Sequence, residues 1–293
     1  MRVLTVPNWS FGRNKLLLRK FEEILQNHEV AIHFLEEDVD HNRTVSAFSG
    51  EPEELSSAID AMAAEAFETI DLNHHIGVHP RIGALDVCPF VPLAGRDEDR
   101  EEVTRGALAL AERVGALIGG KYGVPVYLYE HSARSGREST LPALRKGGFG
   151  GLLERTLHPD FGPSQAHPRL GVSVVGVRDF LIALNCNLSD ELPFVAQGLA
   201  KRIRDLRAAG DPRFLGVRAL GFALASRGTS QVSLNLTLPD LSPIDPIIQW
   251  VEDQAYAQRV GFAGVELIGV IRRKDLEHAT KVYPRREQVI DED

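Results

Sequence analysis

The sequence predicts an α/β protein of the α+β type, made of two ferredoxin-like βαββαβ subdomains. Apolar residues alternate between strand and helix spacing along the chain, and the same order of elements occurs twice. A chain of 293 residues is long enough for two domains. Its content of 43% hydrophobic and 25% charged residues is ordinary for a globular protein.

The first half contains one βαββαβ unit followed by a further helix and strand. Short apolar runs predict strands at residues 2–6, 30–35, 44–48, 85–91 and 125–129. Leucines, isoleucines and phenylalanines at helical spacing predict helices at residues 14–26 and 51–70, and an alanine-rich stretch predicts a helix at 99–118. The helix at 51–70 opens with Glu-Pro-Glu-Glu, because proline suits a first turn and carboxylates favour the positive end of the helix dipole.

The second half repeats this order and ends in a polar segment that we expect to be frayed. Strands are predicted at residues 180–188, 217–225, 231–236 and 264–269, and helices at 192–208 and 243–260, with a hairpin-like turn at 226–229. Residues 147–171 are rich in glycine, proline and histidine, and we expect an ordered loop or hinge between the two units there. The expected subdomains are residues 1–178 and 179–293.

Composition and charge restrict the class of function. A net charge of −8 argues against nonspecific nucleic-acid binding, which depends on neutralised phosphates. Cys88 and Cys186 both lie in apolar runs, which predicts buried thiols in a reducing compartment and no disulfide framework. Pro7 breaks the N-terminus too early for a signal peptide, and no apolar stretch reaches membrane-spanning length. The sequence therefore favours a cytoplasmic enzyme without a membrane partner.

The segment at residues 71–90 carries the strongest chemical signal. It holds three of the ten histidines, an arginine and an aspartate among glycines and prolines. His75 and His79 would share one face of a helix and could bind a metal, but Gly77 and Pro80 disfavour a helix there. No HExxH motif or cysteine pair supports a zinc site. A proton-transfer histidine on a rigid loop is the favoured interpretation, with no metal.

Residues 6–14, between the first strand and the first helix, could bind an anion at the helix N-terminus. From this segment alone, we favour the alternative that Asn8 or Ser10 caps the helix and Gly12 forms a turn. Arg43 opens a strand and could clamp a carboxylate, although alone an arginine there is usually a solvated charge.

Two further segments could border a ligand. Tyr129 ends a strand in a polar stretch, and strand ends commonly border ligand crevices, a rule best founded for parallel α/β sheets. Residues 160–171 combine glycine and proline and could lie across a planar ligand, or could be a plain linker.

Together these segments resemble the formiminotransferase family over nearly the whole chain. Several motifs in the same order carry the resemblance: Val6-Pro7-Asn8, Asn42-Arg43-Thr44-Val45, His79-Pro80-Arg81, Gly83-Ala84-Leu85-Asp86-Val87-Cys88-Pro89-Phe90, Gly123-Val124-Pro125-Val126-Tyr127-Leu128-Tyr129, Thr140-Leu141-Pro142-Ala143-Leu144-Arg145, Pro159-Asp160-Phe161-Gly162-Pro163-Ser164 and Gln231-Val232-Ser233. The resemblance implies two α/β subdomains that flank a ligand groove.

The resemblance also implies the reaction, which is transfer of a formimino or formyl group from N-formiminoglutamate to N5 of tetrahydrofolate during histidine breakdown. His79 matches the family's catalytic histidine, and one imidazole can collect the pterin proton and deliver it to the leaving nitrogen. Tetrahydrofolate is then the co-substrate, formiminoglutamate the donor, and a homodimer the expected assembly.

The implied binding residues combine arginine clamps for polyanionic substrates with the family's folate loop. They are Asn8, Ser10, Arg13, Asn42, Arg43, Arg81, Asp86, Tyr129, Gly162, Pro163, Ser164, Gln165, Ala166, His167, Pro168, Arg169, Leu170 and Gly171. For one ligand to contact them, they must gather in a cleft between the subdomains, with Arg43 and Arg81 within side-chain reach of His79.

Near the catalytic histidine the sequence departs from the family. Phe11, Ile76 and Val78 stand where the family commonly has charged residues, and such replacements change the polarity of a pocket and the pKa of a histidine. Two alternatives therefore stay open: a diverged or non-catalytic protein that binds a folate-like ligand, and a hydrolase that uses the same histidine on an amidine or amide.

Overall fold

The computed structural model describes residues 1–95, 98–135 and 141–291, without the side chain of Pro142. This part of the chain divides into two compact units, Met1–Arg178 and Asp179–Asp291. Both units mix helices and strands, so the predicted α/β class is confirmed. Thr140, which belongs to one of the motifs above, and Glu292 and Asp293 lie outside the described residues.

The first unit contains every strand and helix that the sequence predicts for it, with bounds that differ by a few residues. Its elements are β1 (Arg2–Thr5), β2 (Asn8–Trp9), α1 (Lys15–Gln26), β3 (Val30–Asp38), β4 (Arg43–Gly50), α2 (Pro52–Thr69), β5 (Leu85–Leu93), α3 (Arg100–Tyr122), β6 (Val126–Leu128), α4 (Leu141–Leu144), α5 (Gly148–Leu153) and β7 (Ser173–Val177). The short elements β2, α4 and α5 and the strand β7 were not predicted.

The strands of the first unit form one mixed sheet in the order β3-β4-β1/β2-β5-β7-β6. β1 and β2 both pair antiparallel with β4 and with β5. β7 lies parallel between β5 and β6, and it is buried along its whole length. Because β7 returns the chain to this sheet, residues 147–171 belong to the first unit, and the expectation of a hinge between the units is wrong.

Aromatic side chains fill the space between the sheet and α1. The rings of Trp9 and Phe11 both meet Phe21 edge to face, with centroids 5.0 and 5.1 Å apart, an arrangement that adds to the gain from burial. Phe11 is only 5% exposed. Phe11 is therefore part of the core.

The second unit is a four-stranded antiparallel sheet with two main helices. Its elements are β8 (Ile182–Leu188), α6 (Phe194–Ala208), β9 (Val217–Leu224), β10 (Thr229–Leu236), α7 (Ile244–Ala257) and β11 (Phe262–Ile268). The strand order is β11-β8-β10-β9, and β9 and β10 form the predicted hairpin. Alternate residues Leu184, Cys186 and Leu188 of β8 are fully buried.

The C-terminal segment is ordered, so the expectation of a frayed end is wrong. It contains β12 (Ile271–Arg272), α8 (Arg273–Leu276) and β13 (Val289–Ile290), and β12 pairs parallel with β13. Ile271 and Ile290 are buried, and Arg272 Nη2 donates to Asp240 Oδ1 at 2.9 Å. The few apolar residues that anchor this segment are widely spaced among charged ones, so they form no helix or strand pattern in the sequence.

Both cysteines are buried free thiols, as predicted. Burial raises the pKa of Cys88 and of Cys186 to about 12, which leaves them unreactive as thiolates. Among the described helices, none combines the length and apolar character needed to cross a membrane.

Candidate active site

Three loops of the first unit meet at the site: residues 10–14, 38–43 and 75–86. Gly12 packs so closely on the second loop that a Cβ there would collide with the carbonyl oxygen of Asp38. Asn42 joins all three loops, since its Oδ1 accepts from the Gly12 amide at 2.9 Å and its Nδ2 donates to the Ile76 carbonyl at 3.2 Å. Asn42 has a left-handed backbone with φ of 48°, and asparagine tolerates this better than most residues. Its side chain therefore holds the three loops of the site together.

Asp86, at the start of β5, is the buried anchor of the third loop. Its carboxylate accepts hydrogen bonds from Arg81 Nη1 (3.2 Å), Arg145 Nη2 (2.6 Å) and the backbone amides of Ile82 (2.8 Å) and Gly83 (3.3 Å). Burial alone would raise the pKa of Asp86, but the charges of Arg145 and Arg81 outweigh it and hold the pKa well below its usual range. The saturated carboxylate is suited to orienting the two arginines.

Arg43, Arg81 and Arg145, here called the arginine cluster, form a positively charged group around that single carboxylate. The Nε atom of each, and Nη2 of Arg81, are buried without a hydrogen-bond partner among the described residues. Burial lowers the pKa of Arg81 to about 10, so it stays charged at neutral pH. Buried unpaired donors are costly, and charge-assisted bonds to a carboxylate would satisfy them.

His79 is half-buried beside this cluster. Its Nδ1 lies 2.9 Å from the carbonyl oxygen of Pro80; because a carbonyl only accepts, Nδ1 carries the hydrogen and Nε2 keeps its lone pair. Burial, followed by the charges of Arg81, Arg43 and Arg145, lowers the pKa of His79 well below its usual range. The imidazole is therefore neutral at physiological pH and can accept a proton.

A second histidine that the sequence analysis did not single out lies next to His79. His41 is fully buried, its Nδ1 is 2.8 Å from Asp38 Oδ2, and its ring centroid is 6.2 Å from that of His79. His41, Asp38 and Arg145 are the site residues that we missed. The available signals were the Asp-x-x-His spacing directly before Asn42, and the position of Arg145 in a family motif.

The predicted binding residues of the first loop hold the backbone in place. The Ser10 hydroxyl donates to the Gly83 carbonyl at 2.6 Å, and exposed Arg13 donates to the Val39 carbonyl at 3.0 Å. Asn8 lies in β2, and its side-chain Nδ2 donates to the carbonyl of Val6.

The favoured alternative for this segment, a helix cap by Asn8 or Ser10, is wrong. Asn14 caps α1 by accepting a hydrogen bond from the Leu17 amide at 3.0 Å. Asn14 directly precedes the helix, where a side-chain oxygen reaches the unpaired amides of the first turn.

Tyr129 lies in a hydrophobic cluster of the first unit. It is 2% exposed and packs in a cluster with Ile82 and Val87. Burial raises the pKa of Tyr129 above its usual range, and Arg178 partly opposes this. Its phenol is therefore neutral and belongs to the core. Among the described residues, no contact joins Tyr129 to the arginine cluster.

The loop at residues 162–171 has an exposed first part and an anchored second part. Gly162, Pro163, Ser164 and Gln165 are exposed, together with Pro168 and Arg169, whereas Ala166, Leu170 and Gly171 are buried and His167 is half-buried.

Backbone bonds tie the anchored part to the loop of His79. His167 and Gly171 exchange two backbone hydrogen bonds, and the Ala84 amide donates to the Leu170 carbonyl at 2.9 Å. Arg169 Nη2 donates to the carbonyls of Phe67 (2.7 Å) and Ile70 (3.3 Å), where it neutralises the negative C-terminus of α2. Arg169 therefore supports this loop.

Among the residues that the structure describes, no three His, Cys, Asp or Glu side chains are grouped so that they could hold a metal ion.

The chain matches the family model of the formiminotransferase domain, N-terminal subdomain, over residues 2–178, and that of the formiminotransferase domain over residues 183–293. It belongs to the formiminotransferase family. The resemblance predicted from its motifs is thereby confirmed.

Two relatives match over most of their length. Glutamate formimidoyltransferase of Thermoplasma acidophilum is 34% identical over 285 residues, which cover 95% of this chain and 90% of that protein. The enzyme of the same name from Streptococcus pyogenes serotype M1 is 31% identical over 283 residues, with 95% and 91% coverage. Formimidoyltransferase-cyclodeaminase of Sus scrofa is 33% identical over 292 residues, 97% of this chain. The chain spans about half of that longer protein, 52% of its length.

Proposed function

We propose that this protein transfers a formimino group from N-formiminoglutamate to N5 of tetrahydrofolate, with His79 as the general acid and base. The observation that carries the proposal is a neutral imidazole beside an arginine cluster whose buried N–H groups lack partners. Similarity to proteins named glutamate formimidoyltransferase along about nine-tenths of their length supports it.

The chemistry needs one proton to move twice. N5 of the pterin attacks the formimino carbon, a C–N bond forms, and Nε2 of His79 takes the N5 proton. The resulting imidazolium is a stronger acid than a free one, because burial and the charges of the arginine cluster disfavour it. It returns the proton to the glutamate nitrogen, the old C–N bond breaks, and glutamate and 5-formiminotetrahydrofolate leave.

Substrate binding uses the same charges. A carboxylate of the donor can accept from the unpaired N–H groups of the cluster, and Arg81, whose Nε and Nη2 are both unpaired, offers two donors to a planar bidentate anion. The exposed stretch at residues 162–165 offers a surface for the folate, and tetrahydrofolate is the co-substrate of this proposal.

One observation favours a second candidate, a protein that binds a folate-like ligand without turnover. Ile76 and Val78, close to His79 in the chain, are 75% and 42% exposed, and they stand at positions that are commonly charged in the family. Exposed apolar groups favour binding of a flat, apolar ring over proton chemistry.

The deciding experiment incubates the protein with N-formiminoglutamate and tetrahydrofolate and follows the pterin absorbance, with His79→Asn as the control variant. A spectral change that needs both substrates and disappears in the variant supports the transferase. Binding of tetrahydrofolate in equilibrium dialysis without any such change supports the second candidate. Breakdown of the donor without tetrahydrofolate would replace both with the hydrolase.

We also propose a homodimer in the cytoplasm. Light scattering at several protein concentrations tests the dimer, because a monomer mass at all concentrations contradicts it. Fractionation of the source cells tests the location.

A further inference from the structure

We propose that Asp38 and His41 form a positioning pair for His79, which orients its imidazole and offsets part of the positive charge around it. The inference rests on the proposed role of His79 as proton carrier and deepens it. It assigns a task to His41, which is fully buried.

The geometry of the pair is that of an oriented imidazole. Asp38 Oδ2 lies 2.8 Å from His41 Nδ1, and Asp38 Oδ1 accepts from the His41 backbone amide at 2.8 Å. The Asp38 carboxylate, held in place by the His41 amide, therefore lies against the Nδ1 edge of the ring and favours a hydrogen on that nitrogen. The rings of His41 and His79 are 6.2 Å apart between centroids and tilted by 45°, a separation typical of packed ring pairs.

Close packing couples the two histidine segments. Gly77 leaves no room for a Cβ, which would collide with the backbone carbonyl of His41. The Val78 amide donates to the Asp40 carbonyl at 3.1 Å. A displacement of His41 is therefore transmitted to His79 through rigid backbone, since packed interiors deform little.

Charged groups on both sides of His41 explain how the pair could affect proton transfer by His79. Asp38 and Arg43 act on His41 from its own loop and strand, and Arg81 and His79 act on it from the opposite loop. At His79 itself, the charges of Arg81, Arg43 and Arg145 repel a proton, and the Asp86 carboxylate opposes them in part. The carboxylate of Asp38, which is close to both Arg43 and His41, counteracts this repulsion.

The test compares Asp38→Asn and His41→Gln with His33→Gln, a half-buried histidine of the same unit whose Nε2 lies 2.8 Å from Ser49 Oγ. We expect kcat to fall about 10²-fold in both site variants, the effect of a small misplacement of a catalytic group, with KM unchanged within about threefold. NMR of histidine-labelled protein should show His79 titrating about one pH unit lower in Asp38→Asn than in the wild type, a shift expected for loss of one nearby charge. The His33→Gln control should match the wild type in all three measurements.

Three results would overturn the proposal. One is an unchanged His79 titration together with unchanged kcat, and another is a loss of kcat that the melting temperature accounts for in full. The third is Asp38→Glu, which keeps the charge, failing to restore the titration while folding normally. If His41→Gln does not fold, Asp38→Asn alone decides. Absence of transfer by the wild type would instead refute the proposed function, because the NMR titration reports the pair without any substrate.

Discussion

Arg145 Nη2 lies 2.6 Å from Asp86 Oδ2, although 59 residues of sequence separate the two. Arg145 directly follows α4, while Asp86 is in β5, so this contact joins the segment after α4 to the start of β5. Asp86 is fully buried and Arg145 is half-buried. The pair therefore links the stability of the first unit to the arrangement of its arginine cluster.

Removal of the buried carboxylate should destabilise the protein strongly. We expect Asp86→Ala to lower the free energy of unfolding by about 3–5 kcal/mol, because buried Arg81 would be left uncompensated and half-buried Arg145 would lose its ion pair. Urea denaturation measures the change. The control is Asp205→Ala, which removes an exposed ion pair with Lys201 and should have little effect. Equal effects of the two substitutions would contradict the role of Asp86.

His79→Asn should separate catalysis from folding. We expect turnover to fall by about 10² to 10⁴, the usual size of general acid–base effects. The melting temperature should stay within a few degrees, because the described hydrogen bond of the imidazole goes to the neighbouring Pro80. Steady-state kinetics and thermal unfolding measure the two effects. A variant that unfolds but keeps full activity in its folded fraction would show that His79 is structural.

We expect kcat and kcat/KM to depend differently on pH in the acid range. Burial and the charges of the arginine cluster lower the pKa of His79 in the free protein, and a bound substrate carboxylate would cancel part of that charge. Since kcat/KM reports the free enzyme and kcat the complex, the acid limb of kcat/KM should lie well below pH 6.5 and that of kcat at higher pH. Profiles from pH 4.5 to 8 measure both limbs. Coincident limbs would mean that no anion binds beside His79.

Stability should decrease in mild acid. The folded-state pKa values of His41, His75 and His79 are all lowered from 6.5, mainly by burial. Below pH 6.5 the unfolded chain therefore binds more protons than the folded one, and stability falls as the pH approaches the folded values. Asp38 and Asp86, whose pKa values are also lowered, add a further loss below about pH 4. Urea midpoints at several pH values measure this, and His41→Gln should flatten the dependence between pH 5 and 7.

Gly77→Ala should disturb the site through packing. The added Cβ would collide with the backbone carbonyl of His41, and overpacking of this kind typically costs about 1–3 kcal/mol. Turnover should fall along with stability. Gly120→Ala in α3 is the matched control, since nothing lies within 4 Å of its added Cβ. That variant should be about 0.5–1 kcal/mol more stable than the wild type, and a Gly77→Ala protein with the same gain would refute the close packing.

The fold was largely predictable where elements are long and periodic. α2 shows its apolar face every three or four residues and starts at a proline, so its bounds are nearly those predicted. β7 was missed because its Ser-Val-Val-Gly-Val sequence is short, is buried on both faces and has no alternation. That omission led directly to the wrong position of the hinge.

Local sequence alone indicated the site where its parts are close in the chain, whereas Asn42 and Arg43 were predicted through the family motif. His79, Arg81 and Asp86 lie within eight residues, so their chemistry shows in the sequence as one cluster. Arg145 and His41 join them only through long-range contacts, and an isolated arginine or histidine has no local signal of its partners. Ser10 was predicted to bind ligand, but whether its hydroxyl meets a ligand or the Gly83 carbonyl depends on tertiary structure.

The position of β7 between β5 and β6 also has a consequence for synthesis on the ribosome. Gly83 pairs with Gly171, and the Val172 amide donates to the Ile82 carbonyl at 2.9 Å. The partner of the His79 loop, residues 171 and 172, is therefore synthesised almost ninety residues after the loop itself. At about 5–20 residues per second, this delay lasts several seconds. Until then the apolar strand β5 has one edge without its neighbour, and unpaired edges are templates for aggregation. Nascent chains that stop before residue 172 should therefore depend most on chaperones.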